Sequence, residues 1–265
     1  MPFARVGDIE LCYERGGAGP RLLYISGTGG DLRARPGVFD GPLPGRFEVL
    51  AYDQRGMGRS SKPDVRYAMA DYADDAAGLM DAVGWDEAMV IGYSFGGMVA
   101  QELVLRHPGK VRKLVLAATS PGGAGGASYP LHEIPHLTGE ARARHMIPML
   151  DVRHDAAWAE AHPDEHAQMV ALFAHDPFAD EPGHATGAGR QLEARADHAA
   201  WDRLGEIGCP VLIAAGRYDG IALPQAQHNM AGRIAGAELV FFDGGHMFML
   251  QDPEALPAIM AFLAR

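Results

Sequence analysis

The stretch that most constrains the fold of this chain is A-M-V-I-G-Y-S-F-G-G-M-V-A-Q-E-L, at residues 88–103. Its first four residues form an apolar run that is typical of a buried strand, and the apolar residues that follow the glycines recur at helical spacing. The chain therefore runs from a strand through a very tight turn into a helix, with Ser94 at the turn. Gly92 and Gly96 provide the lack of bulk that so sharp a turn requires. The arrangement matches the G-x-S-x-G pattern of a nucleophile elbow.

Short apolar strands and amphipathic helices alternate on either side of this turn. Strands are predicted at residues 3–6, 9–13, 22–25, 47–52, 88–91, 111–118, 210–215 and 238–242. Outside the elbow, helices of the same unit are predicted at residues 71–83, 224–234 and 253–263, the last with Asp252 as its N-cap. The alternation predicts an α/β fold in which a mostly parallel, eight-stranded sheet carries helices on both faces.

The pattern changes after the glycine-rich segment P-G-G-A-G-G at residues 121–126. From there to Arg203 the sequence offers helical segments and no convincing strand. The candidates are residues 140–150, 156–162, 165–175 and 190–201. We therefore predict a core made of residues 1–120 and 204–265, with residues 121–203 inserted as a helical cap.

Composition and charge narrow the classes of protein. A chain of 265 residues that is 48% hydrophobic is long enough for one large α/β domain. Its formal net charge of −11 argues against a nucleic-acid partner or an anionic membrane surface. The N-terminus lacks an apolar secretory segment and no apolar run reaches the length of a membrane span, so we expect a cytoplasmic protein. A homodimer is left open.

Three polar residues follow the carboxyl ends of predicted strands, where ligands bind in open parallel sheets. They are Ser94, Asp219 and His246, in the order that a Ser-Asp-His triad takes on this kind of sheet. His246 would accept the proton of Ser94, and Asp219 would orient the imidazole. Taken alone, Asp219 before Gly220 reads as a turn residue and His246 as a solvated loop residue. The set of three in the required order favours the triad.

A nucleophilic serine also needs hydrogen-bond donors for the oxyanion that forms on the substrate. The N–H group of Phe95, directly after the serine, is one candidate. The second should come from the loop S-G-T-G-G at residues 26–30, where Thr28 is the first choice and Gly27 the next. Such a loop can also cradle a phosphate, but no G-x-x-x-x-G-K pattern accompanies it.

These motifs resemble the α/β-hydrolase superfamily over nearly the whole chain. The resemblance rests on the elbow at residues 92–97, on D-Q-R-G-M-G-R-S at residues 53–60, on the strand end at Asp219 and on Gly245-His246. It implies the α/β-hydrolase fold, a Ser-Asp-His triad and no metal or organic cofactor. Relatives that open epoxides or displace halide carry Asp at the elbow, so Ser94 favours acyl transfer to water. The sequence departs from many relatives where Ser26-Gly27 stands in place of His-Gly.

Aromatic and apolar side chains of the cap and of the triad loops are candidates for a substrate pocket. We expect it to include Tyr93, Trp158, Phe173, Phe178, Trp201, Met247 and Phe248. His162 and His166 share the i, i+4 spacing of a metal-binding pair, but no cysteine or H-E-x-x-H motif accompanies them. A metal site is therefore not predicted.

The predicted function is hydrolysis of a small to medium, largely apolar carboxylic ester or lactone through an acyl-enzyme. The same triad would serve a C–C bond hydrolase, a thioesterase, a perhydrolase or a peptidase resembling proline iminopeptidase. An acyltransferase would need a site that excludes water. A slow-turnover ligand receptor or scaffold is the alternative from another class, and its turnover rate would distinguish it.

Overall fold

Eight strands form one sheet in the order β1-β2-β4-β3-β5-β6-β7-β8, in a computed structural model that describes residues 1–265. The strands are β1 (Phe3–Val6), β2 (Ile9–Gly16), β3 (Arg21–Ile25), β4 (Glu48–Tyr52), β5 (Ala88–Tyr93), β6 (Val111–Ala117), β7 (Val211–Gly216) and β8 (Glu238–Phe242). β1 pairs antiparallel with β2, and β2 with β4, whereas the five remaining pairings are parallel. The prediction of a mostly parallel, eight-stranded sheet is confirmed.

Helices cover both faces of this sheet, as predicted. They are α1 (Met69–Ala82), α2 (Phe95–Arg106), α3 (Gly139–Leu150), α4 (Ala156–Ala161), α5 (Pro163–Ala174), α6 (His184–Ala196), α7 (Pro224–Arg233), α8 (Phe248–Gln251) and α9 (Ala255–Ala264). Leu79 of α1, Leu103 of α2 and Met230 of α7 are buried on one face, and Ile259 and Phe262 of α9 on the other. No helix of the fold combines the length and the apolar character that crossing a membrane requires.

The end of the chain differs from the prediction in one detail. Asp252 does not cap the closing helix, which begins at Ala255 with Glu254 as its N-cap. Its carboxylate instead accepts hydrogen bonds from the backbone N–H groups of Asp243 at 2.7 Å and Glu254 at 2.9 Å. These bonds close the turn around α8, a single helical turn directly after His246. So short an element has too few residues to show a helical period in the sequence.

The connection from β3 to β4 contains no α-helix. Parallel neighbours usually need a helical crossover, but here residues 26–47 form a long loop with two single-turn 3₁₀ helices, Val38–Asp40 and Leu43–Gly45. The α9 face of the sheet is therefore covered less completely beside β3 than elsewhere.

Four helices, α3 to α6, lie between β6 and β7, and we refer to them as the helical insertion. Ile147 of α3 and Val170 of α5 are buried against each other in a small apolar cluster of their own. Helix α6 reaches the sheet domain, because Gly187 lies so close to Gly56 that an added methyl group would overlap the Gly56 carbonyl. The helix begins at His184, six residues before the predicted start at residue 190, and Trp201 lies beyond it in a 3₁₀ helix.

Candidate active site

Ser94 occupies the turn between β5 and α2 with φ of 55° and ψ of −117°. Positive φ is uncommon for a residue with a side chain, so the backbone of Ser94 is strained at this turn. Glycine is required on both sides of Ser94 because a side chain there would overlap backbone atoms. A methyl group at Gly96 would overlap the carbonyl oxygen of Ile25, and one at Gly92 would overlap that of Gly96. The turn can therefore be this tight only without side chains at these two positions.

His246 lies between Ser94 and Asp219. Its Nε2 atom is 2.9 Å from Ser94 Oγ, and its Nδ1 atom is 2.8 Å from Asp219 Oδ2. Because a carboxylate can only accept, Nδ1 carries the proton and Nε2 is free to accept the serine proton. Ser94 is 8% exposed, Asp219 is 2% exposed and His246 is 6% exposed. Water therefore competes little with these hydrogen bonds.

The Asp219 carboxylate is fixed by its own loop. Its second oxygen, Oδ1, accepts the backbone N–H groups of Ile221 at 2.8 Å and Ala222 at 2.9 Å. These two bonds leave Oδ2 alone to face the imidazole. The turn signal Asp219-Gly220 and the functional interpretation of Asp219 are therefore compatible, since one oxygen serves each purpose.

The main chain at His246 is held from several sides. Its N–H donates to the carbonyl of Leu150, at the end of α3, over 2.6 Å, and its own carbonyl accepts the hydroxyl of Tyr93 at 3.1 Å. The N–H of Gly245 donates to Gln251 Oε1 at 2.8 Å. The helical insertion therefore helps to place the imidazole, a dependence that the local sequence around His246 does not show.

The oxyanion candidates lie beside the elbow. Phe95 directly follows Ser94 as the first residue of α2, and its N–H therefore has no partner inside the helix. A methyl group at Gly27 would stand 3.3 Å from Ser94 Cβ and 3.2 Å from the Tyr93 ring, which places the S-G-T-G-G loop against the serine. The Thr28 hydroxyl is buried without a hydrogen-bond partner.

Comparison with known proteins identifies the family to which this fold belongs. A family model described as the alpha/beta hydrolase fold matches residues 20–253. The chain belongs to the α/β-hydrolase family. A protein of Azorhizobium caulinodans that bears the name carbamate hydrolase RutD is 30% identical to this hydrolase, covering 96% of it and 94% of the relative. A poly(3-hydroxyalkanoate) depolymerase of Ectopseudomonas oleovorans is 29% identical and covers 91% of this hydrolase and 83% of the relative. The crystal structure of an enol-lactonase from Burkholderia xenovorans LB400 is similar at a TM-score of 0.79, with 25% identity over the whole of both chains.

Asp53 lies in the D-Q-R-G-M-G-R-S segment and is hydrogen-bonded to the loop that follows β3. We call residues 26–32 of that loop, which carry the oxyanion candidates Gly27 and Thr28, the oxyanion loop. Its carboxylate accepts the N–H of Leu32 at 2.7 Å and that of Arg59 at 2.9 Å. The neighbouring Gln54 side chain donates to the carbonyl of Ser26 at 2.8 Å. Burial raises the pKa of the Asp53 carboxyl above its ordinary value. The sequence identified this segment by resemblance, but not that it supports the loop next to Ser94.

A cavity of about 550 Å³ lies beneath the oxyanion loop, on the α9 side of the sheet. It follows from the missing crossover helix between β3 and β4. Of the predicted pocket residues, Tyr93 and Met247 line it, together with the loop at residues 26–30. Neither Ser94 nor His246 lines it, although Gly27 and Tyr93, which do line it, lie next to the serine.

Phe248 corrects the expectation for the substrate pocket. Its ring is 0% exposed and stacks on Phe242 with the ring centroids 5.3 Å apart and an interplanar angle of 3°. The side chain therefore belongs to the core beneath α9 and does not border a pocket. The sequence could not show this, because α8 turns the chain inward immediately after Met247.

The four aromatic residues predicted in the cap do not line the cavity either, and each has a packing partner of its own. Trp158 stacks on His162, Phe173 packs on the α3–α5 cluster, Phe178 lies beneath Arg33, and Trp201 packs on Gly125 and beneath Arg233. Their packing contributes to holding the insertion together and to fixing it on the sheet domain.

Proposed function

We propose that this α/β-hydrolase is a serine hydrolase that cleaves a small to medium carboxylic ester or lactone. The observation that carries the proposal is the unbroken hydrogen-bonded series from Asp219 through His246 to Ser94, with distances of 2.8 and 2.9 Å. In this series the Nε2 atom of His246 is placed to accept the serine proton, which is the activation that a hydroxyl nucleophile needs.

The reaction proceeds in two halves. Ser94 Oγ attacks the carbonyl carbon while its proton passes to His246 Nε2, and the negative oxygen that forms is stabilised by the N–H groups of Phe95 and Thr28 or Gly27. His246 then gives the proton to the departing alcohol, which leaves an acyl group on Ser94. In the second half His246 removes a proton from water, which attacks the acyl group, and this proton then passes from His246 to Ser94 Oγ as the bond to the acid breaks.

A carbamate ester is the second candidate substrate, because several relatives bear the name carbamate hydrolase and match nearly the full length. Its carbonyl carbon can be attacked by the same serine, and only the group left on Ser94 differs. The poly(3-hydroxyalkanoate) depolymerase and the enol-lactonase support the ester and the lactone instead.

The test compares p-nitrophenyl acetate, butyrate and octanoate, γ-butyrolactone and phenyl carbamate as substrates. Wild type should turn over the esters or the lactone with kcat/KM above that for phenyl carbamate, and Ser94→Ala should lose this activity by about 10⁴-fold or more. Ser61→Ala is the matched control, because that hydroxyl only accepts the backbone N–H of Glu10 at 3.0 Å. Activity on the carbamate alone would assign the second candidate, and equal activity in Ser94→Ala would contradict both.

A further inference from the structure

Helix α6 brings a buried glutamine to the oxyanion loop. Gln191 is 0% exposed, and its Oε1 atom accepts the backbone N–H of Gly29 at 2.8 Å across 162 residues of sequence. Because a backbone N–H only donates, the oxygen of the amide must face Gly29. The NH₂ group is therefore directed elsewhere, and its orientation is set by the loop.

That NH₂ group has no hydrogen-bond partner although it is buried. The hydroxyl of Thr28, on the residue before Gly29, is also buried and unpartnered. Most buried polar groups in proteins are hydrogen-bonded. Of the unpartnered ones in this structure, the Gln191 NH₂ group belongs to the side chain that bonds Gly29, and the Thr28 hydroxyl belongs to the residue next to Gly29. A ligand that brings an oxygen atom between them would satisfy both, since each can donate.

We propose that Thr28 and Gln191 bind a second, hydrogen-bond-accepting oxygen in the acyl part of the substrate, close to the carbonyl that Ser94 attacks. The inference rests on the proposed function. The loop that carries Thr28 lies against Ser94 through Gly27, whose added methyl group would stand 3.3 Å from Ser94 Cβ. The substrate class is thereby narrowed from a simple alkyl ester to one whose acyl chain carries an oxo or a carboxylate group.

Of the oxo group and the carboxylate group, the position of Arg195 favours the carboxylate. It follows Gln191 by one turn on the same buried face of α6, and it is 5% exposed. Its guanidinium donates to the carbonyl of Tyr129 at 2.7 Å and to the hydroxyl of Ser128, and no carboxylate lies within ion-pair distance. The positive charge on this face is therefore uncompensated, and a negatively charged acyl chain would gain from it.

Three phenyl esters of similar length test the inference: the pentanoate, the 4-oxopentanoate and the hydrogen succinate, each corrected for its spontaneous hydrolysis. We expect wild type to show kcat/KM about tenfold or more higher for at least one oxygen-bearing ester than for the pentanoate. A preference for the succinate identifies the carboxylate, and one for the 4-oxopentanoate identifies the oxo group.

Gln191→Met and Thr28→Val should reduce this ratio of kcat/KM towards one. A variant that only loosens the oxyanion loop lowers the rates with all the esters alike and leaves the ratio unchanged. Gln225→Met is the control, because Gln225 is exposed on α7 and its side chain is hydrogen-bonded to Asn229 on the same helix. If Gln191→Met does not fold, as judged by circular dichroism, Thr28→Val decides alone.

The preference for an oxygen-bearing acyl chain can also be measured as binding, in a variant that does not turn the ester over. Ethyl 4-oxopentanoate, ethyl hydrogen succinate and ethyl pentanoate are titrated calorimetrically into Ser94→Ala, where about tenfold tighter binding of an oxygen-bearing ester is expected. Equal binding of all three, or a wild-type ratio near one, would overturn the inference and leave the serine hydrolase standing. Loss of pentanoate hydrolysis in Ser94→Ala is the separate test of the hydrolase itself.

Discussion

Nδ1 of His246 lies 2.8 Å from Oδ2 of Asp219, while Oδ1 of the same carboxylate is occupied by two backbone N–H groups. The carboxylate therefore has one orientation and presents one oxygen to the imidazole. In an Asp219→Asn variant the amide oxygen would therefore face the two backbone N–H groups, and the NH₂ group would face Nδ1.

Asp219→Asn should consequently lower kcat by about 10³- to 10⁴-fold, with little change in KM. With an NH₂ group opposite Nδ1, the imidazole must carry its proton on Nε2, where it cannot accept the proton of Ser94. Steady-state hydrolysis of p-nitrophenyl butyrate measures the loss. Asp180→Asn, an exposed position, is the control. A loss of less than about tenfold would show that the tautomer is not set by Asp219.

Gly96→Ala should destabilise the fold by about 3 kcal/mol or more, because the added methyl group overlaps the Ile25 carbonyl, and neither strand nor helix can move without breaking the elbow. Urea unfolding gives the free energy. Gly189→Ala on α6 has open space around its Cβ and should be neutral or stabilising by up to about 1 kcal/mol. Similar free energies for the two variants would show that the elbow tolerates bulk.

Arg55 and Asp75 form a buried bidentate ion pair, with Nε–Oδ2 at 2.6 Å and Nη2–Oδ1 at 2.7 Å. Asp75→Ala should cost about 3–5 kcal/mol, because it leaves the guanidinium buried without its partner. The adjacent Asp74 pairs with Arg106 in partly exposed positions, so Asp74→Ala should cost about 1 kcal/mol or less. Thermal and urea unfolding of the two variants measure these losses in the free energy of unfolding. The prediction fails if the two losses are equal, or if Arg55→Met with Asp75→Leu recovers none of the stability.

His198 should make the stability of the fold depend on pH. Burial lowers its pKa to about 4, against an ordinary value of about 6.5. Above pH 6.5 the residue is neutral in both states and contributes no pH dependence. Below it the unfolded chain binds a proton that the folded chain does not, so the free energy of unfolding falls by about 3 kcal/mol between pH 7 and pH 4.

His198→Leu should remove this component, so that the free-energy difference between wild type and variant changes by about 3 kcal/mol over that interval. His175 is exposed, and His175→Leu should leave the pH dependence unchanged. Urea unfolding at pH 7, 6, 5 and 4 measures both. Parallel curves for wild type and His198→Leu would contradict the assignment.

The parts of the fold that could be predicted correctly are those with a short-range sequence pattern. The apolar run before Gly92 and the helical spacing after it define the elbow within 16 residues, and each strand has a similar short-range signal. Ser94, Asp219 and His246 could be nominated together because parallel strands bring their carboxyl ends to one edge of the sheet.

The parts that could not be predicted depend on how distant segments dock. Gln191 reaches Gly29 only once α6 lies on the sheet domain, and the Leu150 carbonyl meets His246 only at the end of α3. Phe248 turns into the core because α8 is a single turn, too short for a periodic signal. No spacing within the sequence encodes these contacts.

The measurement that tests the central claim most directly is covalent labelling with a fluorophosphonate, read by intact mass and peptide mapping. The account predicts one adduct per wild-type chain, located on Ser94, and none on a folded Ser94→Ala variant. Labelling of Ser94→Ala to the same extent, or a folded wild type that takes no label, would contradict the assignment of Ser94 as the nucleophile.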